Sequence, residues 1–279
     1  MRGRGACLTA LALLFALDVD AWAAGEAVGL GASLLGRGLV PHLWTPEPAS
    51  WVWSPAILDS RDGLGFEAGQ VWLYGLPELS IRALGIGTGV GRVGVGAWVS
   101  HFGWEAYRES DGLMAISTGR GYLRIGGSLL ISHTSFHNYG NRTYWGYRLG
   151  SLVGLQRNLR LCVSSAGPLY HRAESIGRET SIGLGWRRGS NLFAAVALVK
   201  QAGFPVEWRA GLEYSPWGPL LLRGGLTGAP ERITLGFAIN VRRLRLNYAF
   251  VNHASLGGSH AVGFELVPGR WPDDTPRGR

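Results

Sequence analysis

His133-Thr134-Ser135 sets an imidazole two residues before a hydroxyl, with His137 and Asn138 close behind. A histidine within hydrogen-bond reach of a serine can activate it for acyl transfer, provided a third group fixes the imidazole. No carboxylate or amide stands at a fitting spacing, so a polar loop that happens to hold His and Ser explains the pattern as well. His253 and His260 flank a glycine-rich turn without a cluster of further ligands, and turn chemistry is the better explanation for them. The run Gly85-Ile86-Gly87-Thr88-Gly89-Val90-Gly91 has the glycine density of a phosphate-cradling loop. It opens no helix, so it lacks the context that such a loop needs; its glycines fit a tight turn and interior space. Cys162 stands alone once Cys7 is set aside, which suits a small packed residue better than a nucleophile. No zinc or haem spacing occurs, so no metal or cofactor is expected.

What positions these residues is legible in the wider chain. The 279 residues include 44 Gly and 12 Trp, and only 16% are charged. The formal net charge is +8, but the arginines are scattered singly and form no nucleic-acid patch. The chain begins with Arg2 and Arg4, then an apolar stretch from Ala6 to Leu17, and then Ala21-Trp22-Ala23. This is the pattern of a cleaved export signal over residues 1–23. The stretch is too short to span a bilayer, which takes about 20 apolar residues. Cys7 precedes the apolar stretch, which argues against a lipoprotein signal.

The dominant periodicity is two. In Ile233–Val241, Ile233, Leu235, Phe237, Ile239 and Val241 share one face, with Thr234, Gly236, Ala238 and Asn240 on the other. Val206–Tyr214, Thr180–Trp186, Leu244–Phe250 and the final segment around Val262 and Phe264 repeat the split. Alternation of this kind means strands with one apolar face. The opposite face carries Gly, Ala, Ser and single charges instead of the Lys, Glu and Thr of a water-facing sheet. Aromatics fall near strand ends on the apolar face: Tyr122, Tyr147, Trp186, Trp208, Tyr214 and Tyr248. These features predict an all-β fold, a transmembrane antiparallel β-barrel of about 14 strands over residues 63–267. Tight connections (Gln156–Asn158, Arg188–Asn191, Ser215–Pro219, Arg242–Arg243) alternate with longer ones (Gly103–Asp111, His133–Trp145, Ala166–Arg178, His253–Ser259), as in barrels with short periplasmic turns and longer outer loops.

Alternation assigns Arg124, Arg148, Arg160, Glu207, Arg209, Glu213, Arg223 and Arg245 to the lumen lining, together with Glu67 and Glu265. Buried charges are costly unless paired, so pairing across the interior is expected ahead of anion selectivity. Residues 24–62 contain Pro41, Pro46, Pro48 and Pro55 with Trp44, Trp51 and Trp53. That proline density excludes central strands and predicts an irregular or short-helical plug in or against the barrel mouth. Residues 268–279 read as a disordered tail.

Two stretches carry a family resemblance. Ala49-Ser50-Trp51-Val52-Trp53-Ser54-Pro55-Ala56 resembles the A-S-x-x-x-N-P-A motif of PorV/PorQ proteins and their FadL-like fatty-acid-channel relatives, with Ser54 where Asn is usual. Asn252–His260 resembles the H-x-x-L-G-x-x-H ending of the same group. The resemblance implies a fourteen-stranded barrel with an N-terminal plug that includes Ser54, Pro55 and Ala56. It also implies hydrophobic-solute transport, or assembly linked to type IX secretion, in a bacterial outer membrane. Expected partners are outer-membrane lipid and either hydrophobic small molecules or secretion-system proteins, with no nucleic acid. A filled scaffold barrel without flux is the alternative. A second alternative is a lipid hydrolase using His133 and Ser135, since some outer-membrane lipid hydrolases place a His-x-Ser pair at the barrel rim. The Ser-Asn-Gly continuation of those enzymes is missing here, and the leading expectation is a protein that is not an enzyme.

Overall fold

The computed structural model describes residues 31–44, 47–60, 63–169 and 177–266. The expected export signal and C-terminal tail lie outside the described residues, as do 24–30, 45–46 and 61–62 of the expected plug. Period-two segments separated by Gly, Asn and Pro form hairpin after hairpin. The strands are β1 (Gly63–Trp72), β2 (Ser80–Val90), β3 (Val93–Gly103), β4 (Tyr107–Arg120), β5 (Leu123–Phe136), β6 (Gly140–Gln156) and β7 (Leu159–Pro168). They continue as β8 (Glu179–Arg188), β9 (Leu192–Gln201), β10 (Glu207–Trp217), β11 (Leu220–Thr227), β12 (Arg232–Val241), β13 (Leu244–His253) and β14 (Gly257–Leu266). Each pairs antiparallel with its sequence neighbours, and β1 closes on β14, with Glu67 opposite Glu265 and Trp72 opposite His260. Closure leaves no strand edge unpaired.

The two ends of the barrel differ. The end that carries Gly63 and Leu266 is made of two- and three-residue turns. Gly91 and Gly121 open their turns at φ of 63° each, and Arg242 does so at 56°, the left-handed geometry that two-residue hairpins favour. The opposite end carries the longer connections, including 73–79, 169–178 and 202–206. We call these the turn end and the loop end.

Three loop-end connections are shorter than the sequence suggests. Of Gly103–Asp111 only 104–106 lies outside a strand, of His133–Trp145 only 137–139, and of His253–Ser259 only 254–256. The strands simply run on past the point where outward side chains stop being apolar. Arg108, Ser110, His133 and Asn141 point outward there, while Glu109, Asp111, Ser132 and Thr134 point inward. With both faces polar, no contrast marks the strand. The glycine run Gly85–Gly91 is likewise strand up to Val90 instead of a turn.

The outward face is apolar around the whole ring. Val99 on β3, Met114 and Ile116 on β4, Leu149 on β6, Val196 on β9 and Leu235 on β12 are all exposed. The inward face is small because something occupies it. Helix α1 (Ala32–Gly36), helix α2 (Pro48–Trp53) and a 3-10 turn (Pro55–Ser60) lie inside the ring. Leu34, Leu43, Trp51, Ile57 and Leu58 are fully buried. Trp51 and Leu58 pack over Gly87 and Gly96, Pro55 over Gly126 and Gly150, and the Arg37–Gly38 backbone over Gly211 and Gly225. Burying a side chain of this size contributes about 1.5–3 kcal/mol.

A Cβ at Gly225 would overlap the backbone of Arg37 and Gly38. Gly225→Val is therefore expected to expel the inner segment and leave strand pairing intact. The readout is new protease cleavage within residues 31–60 with an unchanged far-UV circular dichroism spectrum; continued protection would contradict this packing.

Candidate functional site

The inner segment is anchored to the wall by a charged cluster. Burying charge costs several kcal/mol per ion unless partners compensate, and here they do. Glu47, at the start of α2, accepts hydrogen bonds from Arg37 at 2.5 and 3.3 Å, from Arg245 on β13 at 3.1 Å and from Arg223 on β11 at 3.4 Å. Glu213 on β10 accepts from Arg37 at 2.9 Å and from Arg223 Nε at 2.7 Å. Asn247 on β13 links Arg223, at 2.6 Å, to Glu265 on β14, at 2.9 Å. Arg37, Arg223 and Arg245 thus face Glu47, Glu213 and Glu265, three charges of each sign, all buried. Burial opposes ionisation of Glu47, but the three guanidiniums outweigh it and hold its carboxyl far below the ordinary range. Burial likewise opposes the Arg37 charge, and Glu47 and Glu213 more than restore it.

His42 sits at the margin of this cluster. Its ring stacks on Phe193 at 4.3 Å between centroids, and Nε2 is 3.8 Å from Glu213 Oε1. Burial lowers its pKa to about 4; Glu213 and Glu47 oppose the shift, while Arg37 and Arg245 reinforce it.

Elsewhere the wall grips the segment through arginine and tryptophan. Trp53 packs against Arg148 and Arg209, each guanidinium carbon 5.1 Å from its ring centre, and Trp44 packs against Arg160 at 5.0 Å and Arg187 at 5.4 Å. Arg160 also donates to the Leu43 carbonyl at 2.6 Å. Arg148 pairs with Glu179 at 2.8 Å, and Arg209 with Glu207 at 2.6 Å. A stacked, desolvated guanidinium contributes about 0.5–2 kcal/mol. Arg124 faces inward on β5 near the turn end. Ser54 Oγ lies 3.0 Å from Cys162 Sγ on β7, while Pro55 and Ala56 press on Gly126.

The structure therefore gathers Arg148 with Glu207 and Arg209 around Trp53, and Glu213, Arg223 and Arg245 around Glu47. Sequence reasoning missed Arg37, His42 and Glu47. The available signal was the surplus of arginine on the inward wall faces, which demanded an acid from elsewhere. Between the segment and the wall, a cavity of about 20 Å³ is lined by Leu39, Pro41, Trp53, Cys162, Ala197 and Val199, among others. It has room for about one water.

His133 and Ser135 share the outward face of β5. The ring Nδ1 of His133 lies 2.9 Å from Thr143 Oγ1 on β6, and no hydrogen bond joins it to Ser135. His253 Nδ1 accepts from the amides of Ser255 and Leu256 at 3.2 and 3.3 Å, closing the turn before β14, while His260 bonds Tyr248 OH at 2.8 Å on the outside.

Two outcomes follow from the cluster. Glu47→Gln leaves three arginines against two glutamates and is expected to weaken docking of the segment by about 3–5 kcal/mol, read from the denaturant midpoint for its proteolytic release. Acidification acts first through His42. The unfolded chain takes up a proton near pH 6.5, whereas the docked ring resists until about pH 4. Docking is therefore fully stable above pH 6.5 and loses up to about 3 kcal/mol as pH falls through that window. Protease protection of His42→Gln should be flat across it.

No family model matches the sequence, and no curated protein matches it either. Solved structures do match in fold. The toluene transporter TbuX of Ralstonia pickettii aligns over 88% of this chain and 100% of its own, with a TM-score of 0.64 at 11% identity. The toluene transporter TodX of Pseudomonas putida aligns over 87% and 99%, with 0.65 at 12%. A Pseudomonas aeruginosa FadL homologue aligns over 85% and 97%, with 0.57 at 10%. By this likeness the chain shares the barrel fold of these two toluene transporters and the FadL homologue.

Proposed function

We propose that this chain is an outer-membrane channel for small hydrophobic molecules in a bacterium, with residues 31–60 as its plug. The observation that carries the reading is the fold likeness to two toluene transporters and a FadL homologue over 85–88% of this chain. The surface agrees with it. A closed ring with apolar side chains outward and aromatics such as Trp186, Trp208, Tyr122 and Tyr214 exposed among them suits a bilayer. The solute class follows from the TodX and TbuX likeness, and monoaromatic hydrocarbons are the first compounds to try. Transport requires no catalytic group, and His133 and Ser135 have no role in it.

The lumen sets the mechanism. The 20 Å³ cavity beside Trp53 and Cys162 admits no toluene-sized solute. Passage there needs the inner segment to yield, and the wall contacts of Trp44 and Trp53 are what must be released. The same filled lumen favours a second reading, a scaffold barrel without flux. In that case the two end motifs, similar to those of PorV/PorQ proteins, would point to assembly with secretion partners.

One substitution separates the two. Ser54→Cys places a second thiol against Cys162, where the oxygen and sulfur are now 3.0 Å apart. Oxidation would tie the segment to β7. Uptake of radiolabelled toluene into liposomes by the reduced protein, abolished on oxidation and restored by dithiothreitol, is the expected outcome. No uptake by the wild-type protein would support the scaffold reading, and undiminished uptake by the oxidised form would refute a moving plug.

A further inference from the structure

A second buried polar cluster lies across the lumen from the anchoring charges, at the loop end. We propose that it binds a divalent cation of the calcium class, held between β3, β4 and β5 by the carboxylates of Glu109 and Asp111.

The register places the groups in two rows. Ser100 on β3, Asp111 on β4 and Ser132 on β5 lie directly opposite one another, and Phe102, Glu109 and Thr134 form the next row. Cross-strand neighbours on one face have Cβ atoms about 4.5–5.5 Å apart, so the two carboxylates and three hydroxyls are neighbours on one inward patch. Tyr107, next along the same face of β4, adds a phenol whose hydroxyl donates to Glu109 Oε2 at 2.9 Å. Six oxygen-bearing side chains therefore line one stretch of the inner wall, the ligand type that a hard cation takes.

Two carboxylates alone would not make a site. The independent observation is that the groups facing them are left unsatisfied. Ser132 is fully buried and Thr134 is 3% exposed, yet neither hydroxyl makes a hydrogen bond of acceptable geometry. Asp111, 4% exposed, uses Oδ2 at a long 3.4 Å to Ser100 Oγ and leaves Oδ1 without a partner. Its carboxyl has Glu109, Ser132 and Ser100 as near neighbours, and no Arg, Lys or His among the described residues pairs with it. Leaving a buried carboxylate oxygen and two buried hydroxyls unmatched is costly. A 2+ ion would satisfy all three and offset the repulsion between like charges two residues apart. Calcium fits better than magnesium because oxygens on three strands give an irregular shell, whereas magnesium demands a near-ideal octahedron. With two acidic ligands, affinity is expected in the range of extracellular calcium modules, about 10⁻⁴–10⁻³ M.

The test uses the full-length mature protein in detergent after treatment with EDTA. Terbium chloride serves as a luminescent stand-in, excited through Tyr107 and Trp98, which face the same interior. A saturable terbium signal at one ion per chain is expected, displaced by CaCl₂ and much less by MgCl₂. CaCl₂ should also raise the temperature at which the folded band is lost in semi-native electrophoresis. Asp111→Asn should abolish both effects. Ser132→Ala, which removes one neutral ligand, should weaken calcium binding several-fold and leave the fold intact. The proposal is overturned if wild-type protein shows no saturable signal, or if Asp111→Asn retains it, as ions adsorbed elsewhere would produce. It is equally overturned if calcium has no effect while Asp111→Asn raises the melting temperature as acidification does, the behaviour of a carboxyl pair sharing a proton.

Discussion

The placement of the inner segment depends on Glu47. A single carboxylate on the inner segment accepts from one guanidinium of its own segment and two of the wall, and through Arg37 it is tied to Glu213 as well. Removing a partner from such a set leaves charge stranded where water cannot reach it, which is why buried ion clusters are costly to break even when they add little net stability. Here the cluster also gives specificity. The apolar contacts of Trp51 or Leu58 with glycine-lined wall would tolerate sliding. The oriented pairs between Arg37, Glu47, Arg223 and Arg245 do not, so they fix where the segment sits and how far it enters.

That arrangement divides the lumen into unequal parts. Around Glu47 the contacts are ionic and close-packed. Around Trp53 and Trp44 they are stacking contacts, weaker and more tolerant of displacement. A segment that moves to admit a solute can therefore give way at its tryptophans and remain tethered at its acid. The cavity beside Trp53, Pro41 and Cys162 already lies on that looser side. Stable anchoring and a yielding passage can then coexist in one short stretch of chain.

Much of the ring is legible in the sequence because lipid-type and interior side chains differ so sharply. Ile233–Val241 and Val206–Tyr214 each announce a strand and its lipid-type face. The pattern fails where that contrast ends. On β4 and β5 the loop-end residues are polar on both sides, so Glu109 and Asp111 read as loop and their shared inward face is not visible. The inner segment fails for another reason. Helices of five and six residues show no periodicity, and the wall partners of Arg37 and Glu47, which are Glu213, Arg223 and Arg245, lie 176 to 198 residues away. The inward arginines were identifiable one by one, but their partner was not, since alternation speaks only of strands.

The position of the inner segment also constrains how the molecule can form. Helices that short have no stability of their own in water, and the surfaces that hold them come from strands all around the ring. The segment precedes β1 in the chain, while the seam that completes the cylinder joins β1 to β14, near the other terminus. The thread therefore takes its shape from the hoop around it, since its first helix is held only where strands on both sides of the β1–β14 seam are present together.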